Sequence, residues 1–233
     1  MNRIVCFIGI DGSGKTTLCK LLVKELRSRG IPSRYVYGRF LPKMMAPVFK
    51  IISTLTLNGE KLEKHNNIRL ANQRHLLSEP LISKIFITGV LFDQILQILL
   101  KVYLPSIFKN EVVVCDRYFY DTVLIDIAIP CNFDDDSTVQ FVQRYLPLFP
   151  KTHMVFLVVV PPDVAFHRKK DISSLGALEQ LSRSYLYTAR HFGATTIDGT
   201  RNLSELMSFL LKKLESSGIS FDEQSTRKRV RVR

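Results

Sequence analysis

The chain has 233 residues, of which 46% are hydrophobic, and it carries a formal net charge of +12. These figures indicate one substantial soluble domain with its own core. Five of the positive charges lie in the last seven residues, RKRVRVR. Such a tail suits nucleic acid or an acidic membrane face, but we expect a disordered, solvated end. We interpret the remaining positive charge as a preference for small anionic substrates.

The four cysteines stand far apart, with no CxxC pair. Their spacing excludes a disulfide framework and a zinc site, and it predicts reduced thiols in a cytoplasmic protein. The most apolar region, residues 81–108, is interrupted by charged and amide side chains, and the opening IVCFIGI is too short for a signal peptide. We therefore expect neither a membrane span nor a secretory leader.

The first half of the chain alternates strand and helix. A continuous apolar run over 4–10 predicts a buried parallel strand, and leucines at helical spacing predict a helix over 15–29. The other predictions for this half are a strand over 34–37 and helices over 42–57, 60–74 and 80–101, the last with a bend at Gly89.

The second half continues this alternation. Pro130 is expected to stop one helix, Ser137 to cap the next, and Asn202 to cap the last. The order predicts an α/β fold, a doubly wound parallel sheet of about five strands between two helical layers, with ligands beyond the carboxyl ends of the strands. Strands are predicted over 111–115, 154–160 and 195–198, and helices over 118–129, 164–170, 176–191 and 202–215.

The stretch GIDGSGKTT fills the pattern G-x-x-x-x-G-K-[ST] between a predicted strand and a predicted helix. Glycines let backbone N–H groups turn toward an anion, and the helix N-terminus adds partial positive charge. Lys15 is predicted to hold the β- and γ-phosphates of a nucleoside triphosphate, and Thr16 to ligate magnesium. The predicted ATP-binding residues are Gly9, Gly12, Ser13, Gly14, Lys15, Thr16 and Thr17.

A second polar group follows the buried strand of VVVCDRYFYD. Asp116 is predicted to orient a magnesium-bound water, and the planar guanidinium of Arg117 suits a bidentate grip on phosphate. An ion pair between these two neighbours is disfavoured, because adjacent side chains on an extended chain point in opposite directions. The two motifs together predict a nucleotide site that handles phosphate, and they leave the acceptor open.

These motifs, together with YGRF and FLVVVPPDVAFHRKKD, resemble the thymidylate kinase family of P-loop nucleoside monophosphate kinases. The resemblance runs from about residue 3 to about residue 214. It implies the three-layer P-loop fold and transfer of the γ-phosphoryl group of MgATP to a nucleoside monophosphate, with dTMP as the first candidate.

The resemblance also implies roles for single residues. Asp11 would reach the sugar hydroxyl of the acceptor, and Arg117 with Arg39 would hold the acceptor phosphate. Arg168 would begin a short lid near 168–175 and, with the loop lysine, balance the charge of the moving phosphoryl group. The alternative for Asp11 is a local turn contact, and the alternative for Arg39 is an exposed loop charge.

The family's base-reading position departs from the pattern. Gln94 stands where the family usually has an arginine, so thymidylate specificity is in question. Asp93 and Gln97 share one helix face with Lys101, and that face either lines the acceptor pocket or forms the polar side of a buried helix. Tyr118 is expected to contact the substrate, whereas the lysines after Arg168 indicate a solvated charge run.

Three functions follow from these observations. The first is the nucleoside monophosphate kinase, and the second is a P-loop kinase of another small acceptor such as a nucleoside or sugar, which would need a carboxylate base. The third is a non-catalytic nucleotide-binding protein or a nucleic-acid module, and we expect no nucleic-acid partner. We expect a kinase domain over 1–216 and a basic tail over 217–233. The resembling family commonly forms dimers, and the apolar run over 85–100 would permit a homodimer here.

Overall fold

Five parallel strands form the central sheet of the computed structural model, which describes residues 3–39, 74–169 and 174–219. The strands are β1 (Ile4–Ile8), β2 (Ser33–Tyr37), β3 (Val112–Asp116), β4 (Met154–Val159) and β5 (Thr195–Asp198). Their order across the sheet is β2-β3-β1-β4-β5, and each neighbouring pair is parallel. This arrangement confirms the predicted α/β fold.

The helices connect these strands in the predicted order. Two of them include π-helical turns, one over Leu99–Tyr103 and the other over Thr122–Ala128. The predicted helix over 42–57, nearly all of that over 60–74, and positions 170–173 and 220–233 lie outside the described residues. The helices are α1 (Lys15–Ser28), α2 (Pro80–Phe108), α3 (119–131), α4 (Asp135–Tyr145), α5 (Pro162–Arg168), α6 (Leu175–His191) and α7 (Leu203–Ser216).

Different helices cover the two faces of the sheet. Successive side chains of a strand point to opposite faces, so alternate residues of one strand pack against different helices. In β1, Val5 and Phe7 pack in one cluster with leucines of α1 and α7. Cys6 and Ile8 point the other way and pack with buried residues of α2, α3 and α6. Each face is thus closed by its own helices, and this is why the strands read as continuous apolar runs.

Several predicted helix boundaries are wrong. The helix predicted over 80–101 continues to Phe108. Pro130 does not stop α3. It lies in the first turn of the last helical segment, Ile129–Cys131, where a missing backbone N–H costs little. The helix ends at Cys131, and the next residue, Asn132, has a left-handed backbone conformation. Ser137 is not a cap. The carboxylate of Asp134 accepts the Ser137 N–H at 2.7 Å, so α4 begins at Asp135.

Among the described residues, α2 alone is long and apolar enough to cross a membrane by length and composition. One side of it packs on the sheet, with Val90, Ile98 and Val102 at most 2% exposed. Seven other positions along the helix carry exposed hydrophobic side chains, which together we call the apolar face of α2. Its members are Leu81, Ile85, Phe92, Leu100, Leu104, Ile107 and Phe108.

Candidate active site

The phosphate loop lies between β1 and α1, at the carboxyl edge of the sheet. Gly9, Gly12 and Gly14 all have positive φ, which turns the backbone around the loop. A Cβ atom at Gly12 would lie 2.3 Å from the carbonyl oxygen of Ala165 in α5. Glycine is therefore required at position 12 for space as well as for backbone conformation.

The ammonium of Lys15 is enclosed by this loop. The side chain is 4% exposed, and Nζ donates to the Ile10 carbonyl at 2.5 Å and to Ser13 Oγ at 3.1 Å. Burial, with a smaller effect of the nearby Arg117, lowers the pKa of Lys15 to about 8. A cation so poorly hydrated is arranged for an anionic ligand.

Asp116 ends β3 next to β1, where it meets the first turn of α1. Its Oδ2 accepts hydrogen bonds from Thr16 Oγ1 at 2.5 Å and from the Tyr35 hydroxyl at 2.9 Å. Its Oδ1 is buried and has no hydrogen-bond partner among the described residues. Oxygen ligands of this kind suit Mg²⁺, so the two residues predicted to bind metal fit that ion.

Arg117 directs its guanidinium toward the phosphate loop. The side chain is buried, and its two terminal nitrogens donate to different carboxylates, Nη1 to Asp121 at 2.9 Å and Nη2 to Asp11. The backbone is left-handed at φ 72, and its N–H donates to Phe7 at 2.9 Å. The structure thus brings the predicted acceptor-binding arginine into contact with the predicted ATP-binding loop.

Asp11 links two cations at the mouth of the site. Its second oxygen accepts from Lys169 Nζ at 3.0 Å. Although burial opposes ionisation, Arg117 and Lys169 together lower the pKa of Asp11 below its ordinary value. Lys169 is therefore not part of a purely solvated charge run, as its sequence context indicated. Arg168, predicted as catalytic, is exposed at the end of α5.

The remaining predicted substrate residues lie around the end of β2. Arg39 makes a bidentate ion pair with Asp126, with distances of 2.7 and 3.0 Å. Asp93 accepts from Gln97 Nε2 at 3.1 Å, and Gln97 Oε1 accepts from Lys101 at 2.8 Å, so these residues share one helix face as predicted. A cleft lined by Arg39, Gln97 and Lys101 runs between β2 and α2.

Gln94 is not among the residues that line this cleft. The amide is buried, and Nε2 donates to the carbonyl of Gly38 at 2.8 Å. The N–H of Gly38 in turn donates to the Asp116 carbonyl at 2.9 Å, and a Cβ atom at position 38 would lie 2.4 Å from the Arg117 carbonyl. Gln94 therefore holds the backbone beside the site.

The structure contradicts the expected contact between Tyr118 and the substrate. Its ring is fully buried, and its hydroxyl donates to the Pro150 carbonyl at 2.8 Å. Pro150 precedes β4, at the edge of the sheet opposite the phosphate loop. The side chain of Tyr118 belongs to the core because the bulky ring finds its apolar partners there, among them Phe149.

Sequence reasoning missed several residues that hold the site together. Tyr35 contacts Asp116, and Tyr185 of α6 donates to Asp121 at 2.6 Å. Asp121 itself interrupts the apolar run YFYDTVLI and is completely buried. A carboxylate inside an apolar helical run was the available signal, since such a residue is buried only with partners.

A family model and several curated proteins that match this sequence belong to one family of phosphate-handling enzymes, in agreement with the phosphate loop described above. The sequence model of the thymidylate kinase family matches residues 7–207. A probable thymidylate kinase 1 of Saccharolobus solfataricus is 24% identical over 222 residues, which cover 93% of this chain and 99% of that protein. The thymidylate kinase of Leptospira borgpetersenii is 28% identical over 198 residues, 78% of each chain. A probable thymidylate kinase of Metallosphaera sedula is 27% identical over 237 aligned positions, and the match covers 97% of this chain and 100% of that protein.

Proposed function

Because the chain belongs to the thymidylate kinase family, we propose that it transfers the γ-phosphoryl group of MgATP to a nucleoside monophosphate, with dTMP as the first candidate. One observation carries the proposal. Arg117, the predicted grip on the acceptor phosphate, contacts Asp11 of the loop that would hold the donor phosphates. Two phosphates bound at these places would lie end to end, as phosphoryl transfer requires.

The protein's part in this reaction is alignment and charge neutralisation. Lys15 would hold the β- and γ-phosphates, and Arg117 with Arg39 would hold the acceptor phosphate. Thr16 and Asp116 would bind Mg²⁺, which neutralises charge on the phosphates when bound. Arg168 would add positive charge to the moving group. An acceptor phosphate is already a nucleophile at neutral pH, so no general base is needed.

A second candidate is a P-loop kinase of a different small acceptor, and Gln94 favours it. The family usually has an arginine at this position, but here the side chain is committed to the carbonyl of Gly38. A hydroxyl acceptor would need a carboxylate base. Two candidates are Asp11, which lies in the phosphate loop, and Asp116, which accepts a hydrogen bond from Thr16.

A coupled assay of ADP release over a panel of nucleoside monophosphates, nucleosides and phosphorylated sugars tests both candidates. We expect turnover with at least one nucleoside monophosphate, and we expect Arg117→Met to abolish it while thermal stabilisation by MgATP persists. Turnover of a nucleoside or sugar alone would favour the second candidate. A chain that binds MgATP and phosphorylates no acceptor would be a nucleotide-binding protein without this activity.

We further propose a cytoplasmic homodimer, formed by the apolar face of α2 on two copies of the chain. Seven large apolar side chains are exposed along this one helix. Exposed large apolar side chains gathered on one helix favour an interaction surface. A symmetric dimer would bury the same residues of both copies against each other.

A further inference from the structure

We propose that Asp121 and Tyr185 are positioning residues for Arg117. They hold one edge of its guanidinium so that the other edge faces the phosphate loop. The proposal rests on the proposed function in one respect, since it takes Arg117 to be the residue that binds the acceptor phosphate. It goes beyond that function in assigning the orientation of Arg117 to two buried residues outside the predicted site.

The carboxylate of Asp121 is held at both oxygens. Oδ1 accepts from Arg117 Nη1 at 2.9 Å and from the Tyr185 hydroxyl at 2.6 Å, while Oδ2 accepts from the backbone N–H of Tyr118 at 3.1 Å. Asp121 is 0% exposed, and Tyr185 is 1% exposed. A carboxylate with three donors in a buried site has no freedom to rotate away from the arginine.

Asp121 also supplies the negative charge that the buried Arg117 guanidinium requires. Arg117 keeps its proton in a protein and is itself buried, so it needs a countercharge whether or not a ligand is bound. Burial raises the pKa of the Asp121 carboxyl above its ordinary value, and Arg117 acts against that rise. The hydrogen bonds from Tyr185 and from the backbone further favour the ionised carboxylate.

The two carboxylates at Arg117 differ in exposure. The side chain of Asp11 is 34% exposed, whereas that of Asp121 is not exposed at all. A phosphate arriving from solvent can therefore replace Asp11 at Nη2 but cannot reach Nη1. Asp121 would stay paired through the whole reaction, and Nη2 would be the nitrogen offered to the acceptor phosphate.

The backbone of Arg117 is fixed by separate contacts. Its N–H donates to Phe7, and Gly38 packs closely against its carbonyl. Loss of the Asp121 contact would thus leave the Cα atom in place and free only the side chain. For this reason we expect a loss of acceptor binding rather than a rearrangement of the sheet.

Kinetics of the full chain test the proposal with a matched pair of variants on α6. Tyr185→Phe removes the hydroxyl on Asp121. Tyr187→Phe is the control, because the Tyr187 hydroxyl makes its hydrogen bond at the surface, where it donates to Asp136 at 2.5 Å, and not to Asp121. We expect Tyr185→Phe to lower kcat/KM for the acceptor about tenfold and to leave KM for ATP unchanged within about twofold, while Tyr187→Phe changes neither.

NMR of arginine side chains gives a second readout that needs no turnover. The Arg117 guanidinium signal, identified by its absence in Arg117→Lys, should show slowly exchanging Nη protons in the wild-type chain. We expect Asp121→Asn to abolish that protection and Tyr185→Phe to weaken it, with Tyr187→Phe as the unchanged control. If Asp121→Asn does not fold, the Nη protection measured in Tyr185→Phe is the deciding result, because this variant keeps the charges of both Arg117 and Asp121.

The outcomes separate the two proposals. If no nucleoside monophosphate is turned over by the wild type, the proposed function fails, and the NMR result still decides whether Asp121 and Tyr185 orient Arg117. Unchanged Nη protection in Asp121→Asn would overturn the positioning role. Equal effects of Tyr185→Phe and Tyr187→Phe on acceptor kcat/KM would overturn it as well.

Discussion

Replacing Lys15 by methionine should make the ligand-free protein more stable near neutral pH. Lys15 is 4% exposed, and its burial lowers its pKa from 10.5 to about 8. Each pKa unit corresponds to about 1.4 kcal/mol, so keeping Lys15 protonated in the folded chain costs about 3 kcal/mol at neutral pH. Methionine has a similar length and carries no charge to desolvate.

Part of this gain is offset by lost contacts. Lys15 Nζ donates to the Ile10 carbonyl and to Ser13 Oγ, and methionine cannot replace either bond. A typical hydrogen bond contributes about 1 kcal/mol, which leaves a net stabilisation of about 1 to 2 kcal/mol for Lys15→Met. The residue that would bind ATP phosphates is thus a source of instability in the free protein.

The sign of the pH dependence follows from the lowered pKa. The unfolded chain keeps the Lys15 proton up to pH 10.5, and the folded chain releases it near pH 8. Between these values the unfolded state binds more protons, so this group makes the wild type more stable as pH rises. The advantage of Lys15→Met should therefore shrink across this window and turn into a deficit above it.

The measurement is urea unfolding of the ligand-free chains in EDTA, from about pH 7 to about pH 10, where the linkage predicts the change. The chain has no tryptophan, so circular dichroism supplies the signal. The control is Lys24→Met, which changes an exposed lysine on the same helix. At each pH the free energy of unfolding of the wild type is subtracted from that of the variant, so the contributions of other titrating groups cancel. A variant less stable than the wild type at pH 7, or a difference that does not vary with pH, would refute the reasoning.

Three further predictions follow from the site and from α2. Gly12→Ala should destabilise the chain by about 2 to 4 kcal/mol, because the new Cβ atom would meet a backbone carbonyl of α5. Gly30 also has a positive φ but lies in open space, so Gly30→Ala should cost only about 1 kcal/mol in the same unfolding assay. Gln94→Leu should cost about 1 to 3 kcal/mol in urea unfolding by leaving the Gly38 carbonyl without its donor, and an unchanged midpoint would count against that role. Phe92→Glu should halve the mass seen by light scattering, and a mass equal to that of wild type would argue against the apolar face of α2 as the dimer contact.

The sheet and the phosphate loop were predictable because each depends on neighbouring residues. Apolar runs, glycines at fixed spacing and Lys15 all lie within a few positions of one another, and local rules are enough to place them. The same is true of Asp116 and Arg117, which follow a buried strand directly. The predicted strand boundaries differ from the observed ones by at most two residues.

The partners of the charged groups were not predictable in this way. Asp11 and Lys169 are 158 positions apart, and Asp121 and Tyr185 are 64 apart, so no local pattern links them. Tyr118 misled the prediction for a related reason. Its place in the chain is next to Arg117, but adjacent side chains point in opposite directions, and only the packed structure shows which one enters the core.

The ion pairs of Asp11 connect its contact with Arg117 to the sugar contact that the family resemblance implies for it. Asp11 is held by Arg117 and Lys169, and it is the more exposed of the two carboxylates that neutralise Arg117. An acceptor phosphate that takes its place at Arg117 keeps the charge of the guanidinium balanced and releases one oxygen of Asp11. That oxygen is then free to accept a hydrogen bond from the acceptor's sugar hydroxyl. Binding of the phosphate and recognition of the sugar would in this way be two halves of one exchange, for which Asp121 supplies the fixed countercharge.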